Sequence, residues 1–154
     1  MTELVVWSSD VHLSPKMTSP AHARDFVGQR LAEHGLTYLI DDVRLVASEL
    51  VTNAAVHART RIKVSVAELL FCVRLTVFDD CVDLLVRPTA GGPDDDAEGG
   101  RGLWITQACS SGWGTDMGHG WKSVWALFPV RPQSSWIEAS NLDPHEPQQS
   151  QLPI

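Results

Sequence analysis

Between Val43 and Ala58, apolar residues recur at 43, 46, 47, 50, 51, 54 and 58, a repeat close to 3.6 positions. Such spacing brings them onto one side of an α-helix, which must lie against a core. Two polar residues sit within the same stretch, Glu49 and Asn53. Positions i and i+4 project from neighbouring points of a helix. An acid and an amide placed in this way can approach one cation, phosphate or water together. Taken alone, the pair reads more simply as the polar edge of an ordinary amphipathic helix, so the flanking segments must decide.

Residues 4–13 read as a strand at a sheet edge. Ser19 is placed as a helix N-cap, with Pro20 at the first helical position. A helix over 20–34 turns Ala23, Phe26, Val27, Leu31 and His34 toward the core, and Gly35 stops it. Asp41 or Asp42 caps the central helix, and both suit its positive end. That helix ends near Ala58. Over 61–70, Ile62, Val64 and Val66 alternate with Lys63 and Ser65; over 72–78, Val73, Leu75 and Val77 alternate with Arg74 and Thr76. Alternation of this kind marks two strands, expected as an antiparallel hairpin with a tight turn near 68–71. From 87 to 100 the chain becomes acidic and glycine-rich, the composition of a loop. A short helix over 101–109 and a strand pair around Gly118-His119-Gly120 complete the pattern. Beyond Pro132 the chain is rich in Pro, Gln and Ser, and disorder is expected from about 133. The fold expected is a two-layer α/β sandwich with helices on one face of a mixed, mostly antiparallel sheet. One domain is expected over 1–131, with a polar tail over 132–154.

A length of 154 residues and a hydrophobic content of 44% suffice for one buried core. The net charge is −7, of which residues 132–154 contribute −3. That balance argues against a nucleic-acid backbone as the direct partner, which wants a basic face. Cys72, Cys81 and Cys109 are odd in number and lack C-x-x-C spacing, so they read as packed thiols of a reducing cytoplasm. The six histidines are scattered and form no H-E-x-x-H motif, which argues against a metalloenzyme. No signal peptide or membrane-spanning run is apparent, so a cytoplasmic location is expected.

Four features then follow in a set order. Glu49-x-x-x-Asn53 lies on a helix. Val77-Phe78-Asp79-Asp80 puts a carboxylate at a strand end. Gly99-Gly100-Arg101-Gly102-Leu103 enters a helix after the loop, and Gly118-His119-Gly120-Trp121-Lys122-Ser123 enters the last strand. A helix start with free N–H groups and permissive glycines suits an anion. A strand-end carboxylate can accept a hydrogen bond from an exocyclic amine such as that of adenine.

This order resembles the ATP-binding domain shared by the gyrase, Hsp90, histidine kinase and MutL group, the histidine-kinase-like ATPase fold. Within it, Ser48-Glu49-Leu50-Val51-Thr52-Asn53-Ala54 is similar to the N box of bacterial anti-sigma-factor serine/threonine kinases. Gly100-Arg101-Gly102-Leu103, Gly112-Trp113-Gly114 and Val124-Trp125-Ala126 also match. The resemblance covers about residues 4–131. It implies ATP and Mg²⁺ as cofactors, with Asn53 coordinating the metal. It implies Glu49 as the catalytic base toward a serine or threonine hydroxyl, or toward water. Asp79 is implied to bind the adenine amine, with Ser123 assisting through a shared water. Asp80 is its rival; Asp79 is preferred because it stands two residues before Cys81, which replaces the first family glycine. Gly100, Arg101 and Gly102, with Leu103 behind them, are implied to hold the phosphates as a lid closes. The implied partners are a sigma factor, an anti-anti-sigma protein, or both, and the implied assembly includes a homodimer. The chain departs from the family's Asp-x-Gly-x-Gly, reading Asp79-Asp80-Cys81-Val82-Asp83. That departure motivates an alternative, a nucleotide-sensing module that sequesters a partner without phosphoryl transfer. Of the remaining polar residues, Lys122 is expected as a solvated strand residue, and His57 and His119 as exposed ones. The acidic run Asp94-Asp95-Asp96 is expected to be a solvated loop.

Overall fold

The computed structural model describes residues 2–81 and 100–131, with 100–103 as backbone only. The tail from 132 and the acidic loop, apart from the backbone of its last residue, lie outside the described residues. The elements are β1 (Val5–Leu13), α1 (Ser19–Glu33), α2 (Ile40–Asn53), β2 (Ile62–Leu69), β3 (Cys72–Asp79), α3 (Gly100–Cys109), β4 (Gly112–Gly118) and β5 (Trp121–Pro129). Five strands form one sheet in the order β1-β2-β3-β5-β4, with β1 at an edge as expected. Every neighbouring pair is antiparallel, so among the described residues the sheet is not mixed. The reason lies in the connections. Two successive helices between β1 and β2 return the chain to run against β1. β3 and β4 do share a direction, but β5 is inserted between them and pairs antiparallel with both.

Strand alternation builds the core on one side of this sheet. Ile62, Val64 and Val66 of β2, Val73, Leu75 and Val77 of β3, and Val124, Ala126 and Phe128 of β5 are buried together. Ala23, Val27 and Leu31 of α1 meet them from above, with Val43, Val46, Ala47, Leu50 and Val51 of α2. The two helices also pack on each other. The 3.6-residue apolar repeat thus does what it requires, burying one side of α2 against a sheet. Trp7 of β1 donates its indole N–H to Glu68 and stacks on His34 at the end of α1, ring centroids 4.0 Å apart.

The helix caps differ from expectation at the N-termini. α1 begins at Ser19 itself; its hydroxyl is buried and donates to the carbonyl of Ser14 instead of accepting from the helix. α2 begins at Ile40, one residue before the two aspartates, so Asp41 and Asp42 lie in its first turn and make no side-chain cap. They remain well placed for the positive end of the helix dipole. The C-terminus of α1 follows expectation. Gly35 takes φ +73°, Leu36 N–H donates to Leu31 O at 2.9 Å, and Gly35 N–H donates to Ala32 O at 3.2 Å. These are the two bonds of a Schellman motif, with Leu36 buried behind them.

The opposite face of the sheet carries no helix among the described residues. Its rows are mixed: Lys63 Nζ lies 4.2 Å from the Phe78 ring centroid, and the Arg74 guanidinium 5.5 Å from that of Trp125. Two glycines of β4 are explained here. Gly114 pairs with Trp125 and Gly118 with Trp121, and a Cβ on either would come within 2.4 Å and 2.2 Å of an indole. None of the helices among the described residues is long and apolar enough to cross a membrane.

Candidate functional site

α2 is the element that holds the site's two polar side chains. It packs against α1, α3 and β3. Its apolar side is consumed by the core, which leaves Ser48, Glu49, Thr52 and Asn53 half-buried along the border. Two of these four are already engaged. Arg24 of α1 donates to Ser48 Oγ at 2.7 Å, and Thr52 Oγ1 donates back to the Ser48 carbonyl at 2.7 Å. Glu49 and Asn53 make no side-chain hydrogen bond or ion pair with any described residue. A half-buried carboxylate and amide without protein partners must be satisfied by water or a ligand. Directly after Asn53 the helix widens into a π turn, Ala54–Ala58, and stops at Arg59 in the left-handed conformation (φ 54°). Such π turns recur at functional sites, because they interrupt the regular i→i−4 ladder. Beside the engaged residues lies a cleft of about 230 Å³, lined by Lys16, Pro20, Arg24, Ser48, Thr52 and Val56 among others.

The strand-end carboxylate is Asp79, the last residue of β3 and only 6% exposed. It continues the inward parity of Val73, Leu75 and Val77, so it points into the helical layer. The Cys81 N–H donates to Oδ1 at 2.9 Å, and Lys122 Nζ lies 3.7 Å from Oδ2. Burial pushes the Asp79 carboxyl above its ordinary value, and the Cys81 amide and the Lys122 ammonium pull against that rise. Asp80 stands differently. It is exposed, its N–H donates to Thr60 Oγ1 at 2.9 Å, and its carboxylate lies 3.8 Å from Arg61. Of the two candidates, only Asp79 faces the layer that holds Glu49 and Asn53.

The register of β3 on β5 corrects two expectations. Asp79 stands opposite Lys122, and Phe78 opposite Ser123. Lys122 is therefore not a solvated strand residue; it is 7% exposed and paired with a buried carboxylate. Ser123, although buried, belongs to the other face of the sheet and is not brought beside Asp79. The signal for Lys122 was present in the sequence. Val124, Ala126 and Phe128 fix the inward parity of β5, and Lys122 shares it.

At the glycine-flanked helix start, Gly100 begins α3, and Arg101, Gly102 and Leu103 occupy its first turn as backbone. The placement of their side chains lies outside the described residues. α3 packs on α2, so its start belongs to the same helical layer as Asn53. His57 and His119 are exposed, as expected. Among the described residues there is no group of three or more His, Cys, Asp or Glu side chains able to hold a metal by themselves. A hard cation that keeps waters and takes most of its oxygens from a phosphate needs no such cage. An unengaged amide oxygen with a carboxylate one turn away fits that donor set.

No protein-family model matches the sequence, and no curated protein matches it. The fold does have solved counterparts. One is described as the crystal structure of the RsbU and RsbW domains of Rv1364c from Mycobacterium tuberculosis, similar at a TM-score of 0.58 and 22% identity. The match covers 80% of this chain and 33% of that one, so this chain spans about a third of its length. The likeness establishes the fold, a two-layer α/β sandwich built on a five-stranded antiparallel sheet.

Proposed function

We propose that this chain binds Mg-ATP and acts as a regulatory protein of the anti-sigma-factor serine/threonine kinase type. The observation that carries the reading is the Glu49–Asn53 pair: half-buried, one turn apart, unengaged, and followed at once by a π turn. The fold shared with a chain containing an RsbW domain supports it, as does the order of motifs from Glu49 to Ser123.

In this reading Asn53 offers its amide oxygen to Mg²⁺, and the metal supplies charge neutralisation for the phosphates. Glu49 would accept the proton of a serine or threonine hydroxyl as that oxygen bonds to the γ-phosphorus and the bond to the β–γ bridging oxygen breaks, with ADP leaving. Asp79 receives the amine of the base. The backbone N–H groups at the start of α3 face the phosphates, where a helix N-terminus favours negative charge. The partner is a small regulatory protein that presents the hydroxyl, with a sigma factor as the alternative partner in turn. A homodimer is part of the same proposal.

A second reading is favoured by a specific observation. Asp79 is already held by Lys122 and by the Cys81 amide, and the glycines that would loosen this turn are missing. A stiffer base end suits a nucleotide sensor that sequesters its partner without phosphoryl transfer. Calorimetric titration of the protein with Mg-ATP, Mg-ADP and Mg-GTP tests the first step of both readings. Absence of heat at millimolar nucleotide would sink both. Labelling of a partner from γ-labelled ATP, lost in Glu49→Ala, separates kinase from sensor.

A further inference from the structure

Lys122 is the one lysine among the described residues that is buried, and its distance to the Asp79 carboxylate is 3.7 Å. A buried ammonium is costly unless it is paired, and a buried carboxylate is equally so. Neither group is needed by the core, whose contacts at this end of the sheet are made by Ile62, Val77 and Val124. Both sit at one end of the β3–β5 pair, and both strands pack on α2, the helix that carries Glu49 and Asn53.

We propose that Lys122 is a positioning residue for base recognition: it holds the Asp79 carboxylate ionised and oriented, so that the remaining lone pairs can accept from the amine of a purine base. This rests on the nucleotide reading above and deepens it. The Cys81 amide fixes Oδ1 and Lys122 steadies Oδ2, which leaves the carboxylate one orientation. An ionised acceptor makes a hydrogen bond roughly twice as strong as a neutral one, so the protonation state of Asp79 decides how well the base is held. Among the described residues, the charged groups acting on Asp79 are Lys122 from β5 and Asp80 from the turn after β3. The helical segments packed on β3 carry Asp41, Asp42, Arg44, Glu49 and His57, and none of them is among the charges acting on Asp79.

The test uses the full chain, as wild type, Lys122→Met and Lys122→Arg, titrated calorimetrically with Mg-ATP across a series from mildly acid to mildly alkaline pH, because a carboxyl that loses its cationic neighbour titrates higher. The wild type is expected to bind with constant affinity over that range. Lys122→Met is expected to lose roughly tenfold near the acid end and to recover toward the alkaline end as Asp79 ionises, and Lys122→Arg to stay within about twofold. A merely structural lysine gives a loss independent of pH. Wild-type binding together with a pH-independent Lys122→Met overturns this inference and leaves the nucleotide reading standing. A wild type that binds no nucleotide overturns both. Should Lys122→Met not fold, carboxyl ¹³C titration of the unliganded wild type decides: an Asp79 still protonated at about pH 7, far above the ordinary carboxylate range, overturns the proposal.

Discussion

Removing one partner of the Asp79–Lys122 pair is expected to cost stability out of proportion to its size. Both residues are more than nine-tenths buried, and their separation of 3.7 Å is longer than a hydrogen bond. Breaking a buried pair typically costs 3–5 kcal/mol, and the long separation places this one near the lower end, about 3 kcal/mol. Lys122→Met takes the buried cation away from the carboxylate, and Asp79→Leu takes the buried carboxylate away from the ammonium. The double variant removes both charges and fills the space with apolar atoms, so it should lie within about 1 kcal/mol of wild type or above it. Urea unfolding at neutral pH, followed by tryptophan fluorescence, measures all four proteins. For a chain of this size, about 3 kcal/mol corresponds to a fall in Tm of roughly 6–12 °C. The pH dependence has a definite sign. Burial raises the Asp79 carboxyl in the folded protein, so its contribution to stability is complete below the unfolded value and is lost as pH rises through the folded one. Loss of Lys122 removes a lowering influence and raises the folded value further. The deficit of Lys122→Met relative to wild type should therefore be largest at neutral pH and shrink in acid. Single variants that each lose less than about 1 kcal/mol, with losses that add in the double, would refute the reasoning, because uncoupled residues add.

Glu49→Gln preserves shape and removes the base; phosphoryl transfer should fall by ~10²–10⁴-fold with Mg-ATP affinity little changed, read by γ-phosphate labelling beside calorimetry. Asn53→Ala should weaken Mg-ATP in both the kinase and the sensor readings, and unchanged affinity would remove Asn53 from the metal's ligands. Gly114→Ala places a methyl 2.4 Å from the Trp125 ring, so the indole must move, at a cost of about 1–3 kcal/mol in urea unfolding. Phe128→Ala empties a fully buried site in the core and should cost about 3–5 kcal/mol by the same measurement.

Periodicity made most of the fold legible. The apolar repeat survives through α2 and to Ala54, with Ala58 only half-buried in the π turn, because a helix has one way to bury positions 43, 46, 47, 50 and 51 together. The hairpin of β2 and β3 follows from alternation in the same way. The N-terminal caps were less legible. Ser19 has the side chain of a cap, yet its hydroxyl serves the preceding turn, and the first turn of α2 begins before its aspartates. Short polar side chains have several local backbone partners of similar energy, so type alone does not choose among them.

The candidate site divides along the same line. Glu49 and Asn53 lie four apart on one helix, and that spacing fixes their proximity whatever the helix packs against. The sequence alone therefore determined the two polar groups, the core side of α2 and the identity of the strand that ends at Asp79. The partner of Asp79 depends instead on how β5 slides along β3. Alternation in β5 already gives Lys122, not Ser123, the inward face it shares with Val124, Ala126 and Phe128, but a slide of two residues would keep that face and carry Lys122 away from Asp79. Only the folded sheet settles that Lys122 stands opposite the carboxylate.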